Sequence, residues 1–286
     1  MNIIIPFTLN EAEVKGRIIK LNDALDIILN QHQYPDVIAR ILGELLLVVS
    51  LIGSQFKDEV LLTIQLQMKD KKQYIIADYQ SPGFIRGYAQ FDKEQHEESY
   101  EGMINDTLLM VTIDRKNNQR YQGIVDIKDR SISEALEQYF YQSEQINTSL
   151  KLKIGKVTLP QKQESWCGGG IMIQRLPLKE DEDSWNEAKL FFSTLRDDEL
   201  LDPDLALETL LYSVYNEMNV KVYEALEIEH RCRCSRERVE QVLESLGFEE
   251  VISMMIDKKI AVDCQFCNKS QDFVEDDIKR IFKEHI

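Results

Sequence analysis

Apolar residues in the first half of the chain recur three and four positions apart, the spacing of one helical face, and predict helices there. One such pattern covers residues 17–31, a second covers 36–53, and a third begins at a capping sequence near Ser131 and extends to about residue 145. The second pattern is apolar enough to suggest a membrane span. It contains Arg40 and Glu44, however, and is shorter than the roughly 20 residues that a bilayer requires, so we predict a buried helix.

Between these helices the apolar runs are short, partly alternating and bounded by turn residues, which is typical of β-strands. Strands interleaved with separate helices predict an α+β fold for this part of the chain. The glycines Gly168–Gly170 are interpreted as a strand bend or a close backbone approach, because no Lys-Ser/Thr follows them as in a phosphate-binding loop. The predicted strands cover residues 60–68, 73–79, 108–114, 121–127, 150–159 and 170–176.

Charge is distributed unevenly and suggests three domains. The 286 residues have a formal net charge of −16, which disfavours binding to nucleic acid or to an anionic membrane. Residues 179–230 alone hold 4 basic and 15 acidic side chains, or −11, along amphipathic helices. This region is either an ordinary solvated surface or a marginally stable connector. The prediction is an N-terminal α+β domain at 1–178, an acidic helical linker at 179–229 and a small C-terminal domain at 230–286. We recognise no secretory signal or membrane anchor, so a cytoplasmic location is expected.

Four of the five cysteines lie in the C-terminal domain and are spaced like metal ligands. Cys232 and Cys234 form one close pair, Cys264 and Cys267 form the other, and a helix capped by Ser235 is predicted between them. Four thiolates satisfy the tetrahedral coordination of Zn²⁺ and leave no position for water or substrate, so we predict a closed zinc site. A domain of this size is too small to fold robustly without such a staple. The site is either purely structural or, because nearby arginines and lysines favour reactive thiolates, sensitive to oxidants.

Other features of the sequence allow different interpretations. Arginines around the first cysteine pair suggest a zinc-stapled interaction or nucleic-acid-binding module, although no aromatic residues interleave them. The Cys264-x-x-Cys267 sequence suggests a thiol–disulfide oxidoreductase, but no thioredoxin-like pattern surrounds it. Cys167 is interpreted as a packing residue in a turn. Of the four histidines, three are expected at the surface (His32, His96 and His285), and His230 is not needed as a zinc ligand.

The cysteine pattern and three N-terminal segments together resemble the redox-regulated heat-shock chaperones of thirty-three kilodaltons. The segments are Gly83–Ala89, Tyr141–Gln145 and Gly169–Gly170 leading to Gln174–Pro177, and the resemblance covers nearly the whole chain. It implies a non-enzymatic, ATP-independent holdase of the cytoplasm, which binds unfolding client proteins under oxidative and heat stress. Such a chaperone is inactive while it is reduced and zinc-bound.

The resemblance also implies roles for individual residues. One zinc ion per chain is held by Cys232, Cys234, Cys264 and Cys267. Oxidation is expected to form the disulfides Cys232–Cys234 and Cys264–Cys267, to release the zinc and to unfold the linker, with formation of a homodimer. The sequence departs from the family where an aromatic residue often precedes the first pair, here His230, and where a tyrosine is common after the second pair, here Gln271. Both departures are expected to alter the packing around the zinc and the oxidation threshold.

Overall fold

The protein consists of two compact units, Met1–His230 and Arg231–Ile286. The computed structural model describes residues 1–9, 13–68, 72–91, 99–105, 107–116, 119–159, 162–176 and 183–283. The first unit contains the predicted linker as well as the predicted N-terminal domain, and the second unit begins one residue after the predicted start of the C-terminal domain. The predicted junction at 178/179, like His96 and His285, lies outside the described residues.

The first sheet of the larger unit combines strands from the start of the chain with strands that follow residue 147. Its strand order is β10-β1-β2-β9-β8, and β11 also pairs with β1. The long strands are antiparallel neighbours. The strands are β1 (Asn2–Leu9), β2 (Val14–Leu21), β8 (Thr148–Leu159), β9 (Lys162–Arg175), β10 (Lys221–Val222) and β11 (Leu226–Glu227).

The predicted helix over residues 17–31 is wrong in its first third. Those residues end strand β2, and helix α1 begins only at Asp23 and ends at Asn30. The sheet is covered on both faces, because Ile19 packs in the main apolar core while Ile18 packs in a second core on the other side. A strand that is buried on both faces has a continuous apolar run, which fits the helical spacing equally well.

The second sheet has the order β12-β5-β4-β3-β6-β7. Four of its strands confirm predicted strands to within two residues, whereas β5 lies in the segment Gly83–Ala89 and was not predicted. All pairs are antiparallel except that of β12 with β5. The strands are β3 (Val60–Met68), β4 (Tyr74–Gln80), β5 (Phe84–Gln90), β6 (Thr107–Arg115), β7 (Arg120–Asp126) and β12 (Glu229–His230).

Helices pack within this unit and complete the mixed α+β fold. Helix α2 (Asp36–Gly53) is almost entirely buried, as predicted; α3 (Tyr100–Ile104) is a short addition. Helix α4 (Ile132–Ser143) begins with a capping box, in which the Ser131 hydroxyl accepts the Glu134 N–H at 3.2 Å and the Glu134 carboxylate accepts the Ser131 N–H at 2.7 Å. Among the helices of the described ranges, none has the length and apolar character needed to cross a membrane.

The region predicted as a helical linker is docked on the first sheet. Helices α5 (Asp183–Thr194), α6 (Asp197–Leu201) and α7 (Leu207–Tyr215) carry the apolar side chains of the second core. Trp185, Leu210 and Tyr215 are buried there together with Phe7 and Ile171 from β1 and β9. The chain then returns to the sheets through β10, β11 and β12, which the sequence pattern did not predict.

The smaller unit is a hairpin with three helices around a limited core. Helix α8 confirms the predicted helix between the cysteine pairs: the Ser235 hydroxyl accepts the Arg238 N–H at 3.3 Å, and Gly247 ends the helix with φ of 90°. The elements are α8 (Arg236–Leu246), α9 (Phe248–Ser253), β13 (Lys259–Asp263), β14 (Ser270–Val274) and α10 (Glu275–Lys283). The buried apolar side chains are Leu243, Val251, Ile260, Phe273, Ile278 and Ile281.

Candidate metal centre

The four predicted ligands lie together. The sulfur atoms of Cys232, Cys234, Cys264 and Cys267 are all within 4.8 Å of one another. The Sγ atoms of Cys232 and Cys264 are 3.6 Å apart, and those of Cys234 and Cys267 are 3.4 Å apart. A tetrahedral Zn²⁺ with Zn–S bonds of about 2.3 Å separates its sulfur ligands by about 3.8 Å. The donor set and its spacing therefore fit a zinc ion.

Local backbone structure positions each pair. Cys232 and Cys234 lie in the short segment between β12 and α8, directly before the cap of α8. Cys264 and Cys267 lie in the turn between β13 and β14, where the Cys264 N–H donates to the Lys269 carbonyl at 3.0 Å and its carbonyl accepts the Asn268 N–H at 2.8 Å. Asn268 has φ of 54°, a left-handed conformation that asparagine tolerates better than most residues. This turn directs both thiols of the second pair to one side.

The thiols have different proton affinities. Burial acts to raise the pKa of Cys232, but the Cys234 backbone N–H and the neighbouring thiols stabilise its thiolate and lower the pKa to about 7. Burial raises the pKa of Cys234, and its thiol neighbours add to the increase. Burial also raises the pKa of Cys267, although hydrogen bonds with the Lys269 backbone and the Cys234 thiol oppose part of this effect. A cluster with these affinities does not become fully ionised by itself at neutral pH. A bound divalent cation would supply the positive charge that allows four thiolates to coexist.

Arginines near the first cysteine pair have structural partners. The Arg236 guanidinium lies over the Phe273 ring at 4.2 Å, pairs with the Asp277 carboxylate at 2.9 Å and donates to the Asp272 carbonyl at 3.0 Å. Arg238 donates to the Arg233 carbonyl at 2.9 Å, between the two cysteines of the pair. These contacts fix the cysteine segment and α8 against the hairpin and α10.

The remaining chemistry-bearing residues lie elsewhere. Cys167 is buried in the middle of β9, so its predicted position in a turn is wrong, and burial raises the pKa of its thiol. The close approach predicted at the glycines is confirmed at Gly169, where a Cβ would lie 2.2 Å from the Leu200 carbonyl oxygen. His32 is half-buried between the rings of Tyr34 and Tyr88, which the prediction of a surface residue missed.

The two residues that depart from the family pattern lie in strands. His230 pairs with Ile85 in β12, and Gln271 pairs with Val262 in the hairpin that carries the second cysteine pair. Their predicted effect on the oxidation threshold stays a prediction.

The fold and the site define a class: an α+β protein with a small tetracysteine domain whose thiols could hold a metal ion. Its sequence matches the family model described as "Hsp33 protein" over residues 2–274. The chain belongs to this family of chaperones, which confirms the resemblance seen in the sequence. It is 34% identical over 282 residues to the 33 kDa chaperonin of Caulobacter vibrioides, with 94% of this chain and 93% of the relative covered. The corresponding protein of Shewanella loihica is 29% identical over 285 residues, with 99% and 96% covered.

A solved structure has the same fold. The 33 kDa chaperonin (heat shock protein 33 homolog) of Thermotoga maritima superimposes with a TM-score of 0.84 at 21% identity, covering 99% of this chain and 98% of that one. The chaperone role follows from the family, and the fold from both comparisons.

Proposed function

We propose that this chaperone is a redox-regulated, ATP-independent holdase of the cytoplasm, which prevents aggregation of unfolding clients under oxidative and heat stress. The reduced, zinc-bound form is inactive. Oxidation forms the disulfides Cys232–Cys234 and Cys264–Cys267, releases the zinc and unfolds the linker at 179–229, and the oxidised chains dimerise. The observation that carries the proposal is the cluster of four thiols within 4.8 Å of one another, in a unit with a small apolar core.

The proposed redox chemistry of this chain takes place on its cysteine sulfur atoms. The four cysteines would hold Zn²⁺ as thiolates, and the bound ion supplies charge compensation and a cross-link between the two cysteine segments. When peroxide is the oxidant, two thiolates lose two electrons to form one disulfide, and one peroxide takes up these electrons and two protons to give two water molecules. Two disulfides therefore consume two peroxide molecules per chain and leave no thiolate ligands.

The small unit is expected to depend on its metal. Its buried apolar side chains are few, and a domain of under 60 residues gains little stability from its core alone. A structural zinc ion in such a domain contributes on the order of 10 kcal/mol of folding free energy. Loss of the ligands therefore favours unfolding of the unit.

Undocking of the linker would uncover two apolar surfaces at once. Helices α5–α7 bury their apolar sides against β1, β2 and β9, and these strands bury theirs against the helices. Large exposed apolar surfaces bind other proteins, so the released helices and the uncovered sheet are both suited to unfolding clients. The cysteine segment follows the linker region closely along the chain, since β12 ends at His230 and Cys232 follows two residues later.

The test is light scattering from a heat-unfolding client, with a chromophoric chelator to report zinc. The reduced chain should not suppress aggregation, and the peroxide-treated chain should suppress it while about one zinc per chain is released. Cys264→Ser should weaken zinc retention and alter the response to oxidant. Cys167→Ser is the matched control, because Cys167 is buried in β9 and is distant in sequence from the metal centre. This variant should switch normally.

Two results would contradict parts of the proposal. If zinc were retained under peroxide and the scattering were unchanged, the zinc site would be purely structural. That result would favour the alternative of a zinc-stapled interaction module. Mapping of disulfides by mass spectrometry tests the pairing separately, because Cys232 is also 3.6 Å from Cys264. A Cys232–Cys264 peptide would refute the proposed pairing.

A further inference from the structure

A cavity of about 540 Å³ opens in the larger unit, at the end of α2 and beside β6, β7 and α4. Its volume lies within the range of small-molecule sites, about 300–1,000 Å³. It is distant in sequence from every cysteine of the metal centre, and the switch proposed above makes no use of it. Much of its lining is apolar or aromatic, including Ile52, Phe56, Val111, Ile113, Tyr139 and Phe140.

One buried polar group in the lining has an unused hydrogen-bonding end. Gln174 is 2% exposed, and its Nε2 donates to the Thr148 hydroxyl at 3.2 Å. Its Oε1 is buried and bonds to no donor in the described part of the chain. If the amide were rotated, its nitrogen would be the end without a partner. A buried polar group without a partner is destabilising, so this amide favours a bound molecule that supplies one.

The cavity also has one cation and one anion that other side chains do not neutralise. Arg115 is exposed, and its guanidinium contacts the Phe56 ring at 5.7 Å. Glu144, at the end of α4, is exposed as well. Across the described residues, neither side chain takes part in an ion pair. Arg120, by contrast, is already bound to the Asp114 carboxylate at 2.6 Å.

We propose that this cavity binds a small zwitterion with an apolar body, of the chemical class of α-amino acids with aromatic or branched side chains. The carboxylate pairs with Arg115, and the ammonium pairs with Glu144 and donates to the Gln174 oxygen. The side chain occupies the apolar lining. Glu144 and Gln174 both line the cavity, and the register partner of Gln174, Thr148, lies four residues after Glu144.

Two segments singled out in the sequence acquire a role in this way. Glu144 belongs to Tyr141–Gln145, and Gln174 begins Gln174–Pro177. Neither segment contributes to the metal centre. The proposal is therefore independent of redox switching, and it is tested with the reduced, zinc-loaded full chain.

The test uses three probes that differ only in their charges: L-phenylalanine, 3-phenylpropionate, which lacks the ammonium, and 2-phenylethylamine, which lacks the carboxylate. Spectra of isoleucine δ1-methyl groups report the site directly. Signals of Ile52, Ile113 and Ile146 should shift on titration, while that of Ile278 in the smaller unit should not. L-Phenylalanine should bind with Kd of about 1 mM or tighter, and each single-charge probe should bind about three- to tenfold more weakly.

Substitutions at two exposed residues test the two charges of the cavity separately. Arg115→Gln should weaken L-phenylalanine and 3-phenylpropionate about three- to tenfold and leave 2-phenylethylamine unchanged. Glu144→Gln should weaken L-phenylalanine and 2-phenylethylamine and leave 3-phenylpropionate unchanged. Lys128→Gln, an exposed cation outside the cavity, is the control and should change nothing. Absence of shifts at the solubility limit of the probes would overturn the proposal. Equal binding of all three probes, or binding indifferent to both substitutions, would overturn it as well.

Discussion

Lys20 is a buried ammonium that holds the docked linker, and its removal should loosen α6 and α7. The side chain belongs to β2 and is 1% exposed. Its Nζ donates to the Asp202 carbonyl and, at 2.9 Å, to the Leu205 carbonyl, both in the segment that joins α6 to α7. Burial lowers the pKa of Lys20, and the carboxylates of Asp202 and Asp204 oppose this effect. The lysine thus ties two backbone carbonyls of the docked segment to β2 at a partly buried contact.

The cost of Lys20→Met follows from these two bonds. Methionine keeps most of the apolar stem but removes two hydrogen bonds from a charged donor, which contribute about 1.5–3 kcal/mol each. Relief from burying a charge offsets part of this loss. We expect the docked segment to lose roughly 2–4 kcal/mol. Since each 1.4 kcal/mol is about tenfold in an equilibrium constant, its local opening should increase roughly 30- to 1,000-fold.

Hydrogen exchange followed by mass spectrometry measures this opening in the reduced chain. Amides of Leu207–Tyr215 should exchange faster by the factor above, while those of α8 in the smaller unit keep their rates. Lys15→Met is the matched control, because Lys15 lies on the same strand but only half-buried and should have little effect. Unchanged exchange of α7 in Lys20→Met would refute the reasoning. Suppression of client aggregation by reduced Lys20→Met would further connect undocking to chaperone activity.

Three further predictions concern the larger unit. Burial raises the pKa of Glu44 to about 7, so the folded state binds this proton more tightly than the unfolded state. The stability that the protonated Glu44 contributes is therefore lost as pH rises from about 4.5 to 7. Glu44→Gln should remove this pH dependence, about 3 kcal/mol of the unfolding free energy measured with urea. Ser131→Ala should cost about 1 kcal/mol of unfolding free energy through loss of the capping box, whereas Ser133→Ala should cost much less. Gly169→Ala should displace the Leu200 carbonyl, with a loss of about 1–3 kcal/mol and faster exchange in α6; unchanged exchange there would contradict it.

Sequence reasoning succeeded where the signal for an element is local. The capping sequence at Ser131, the alternation over Val60–Met68 and the apolar run of α2 each contain enough information by themselves. It failed at β2, where a strand covered on both faces has the apolar spacing of a helix. Strand β5 was not predicted, because a glycine weakens the strand pattern at Gly87, where it makes room for Leu42 of α2.

The metal centre was predictable because its ligands are identified by type and spacing. Two pairs of thiols, with two and three residues from one cysteine to the next, are typical of a metal site, and this pattern is visible in the sequence alone. The cavity beside α4 was not predictable in the same way. Arg115, Glu144 and Gln174 come from β6, from the end of α4 and from β9, and only the packing of the two sheets brings them to one place.

The acidic region predicted as a linker combines a highly charged sequence with an apolar side that packs on the first sheet. Its excess of acidic residues opposes compaction by like-charge repulsion. Lysines of the sheet counter this repulsion: Lys153 and Lys151 approach the Asp197 carboxylate at 2.8 and 3.3 Å. Docking therefore rests on a few lysines and one apolar face. Under the proposed function, the released segment would keep its charges and still present its apolar side chains. The proposed holdase needs this combination, because it has to hold clients without aggregating itself.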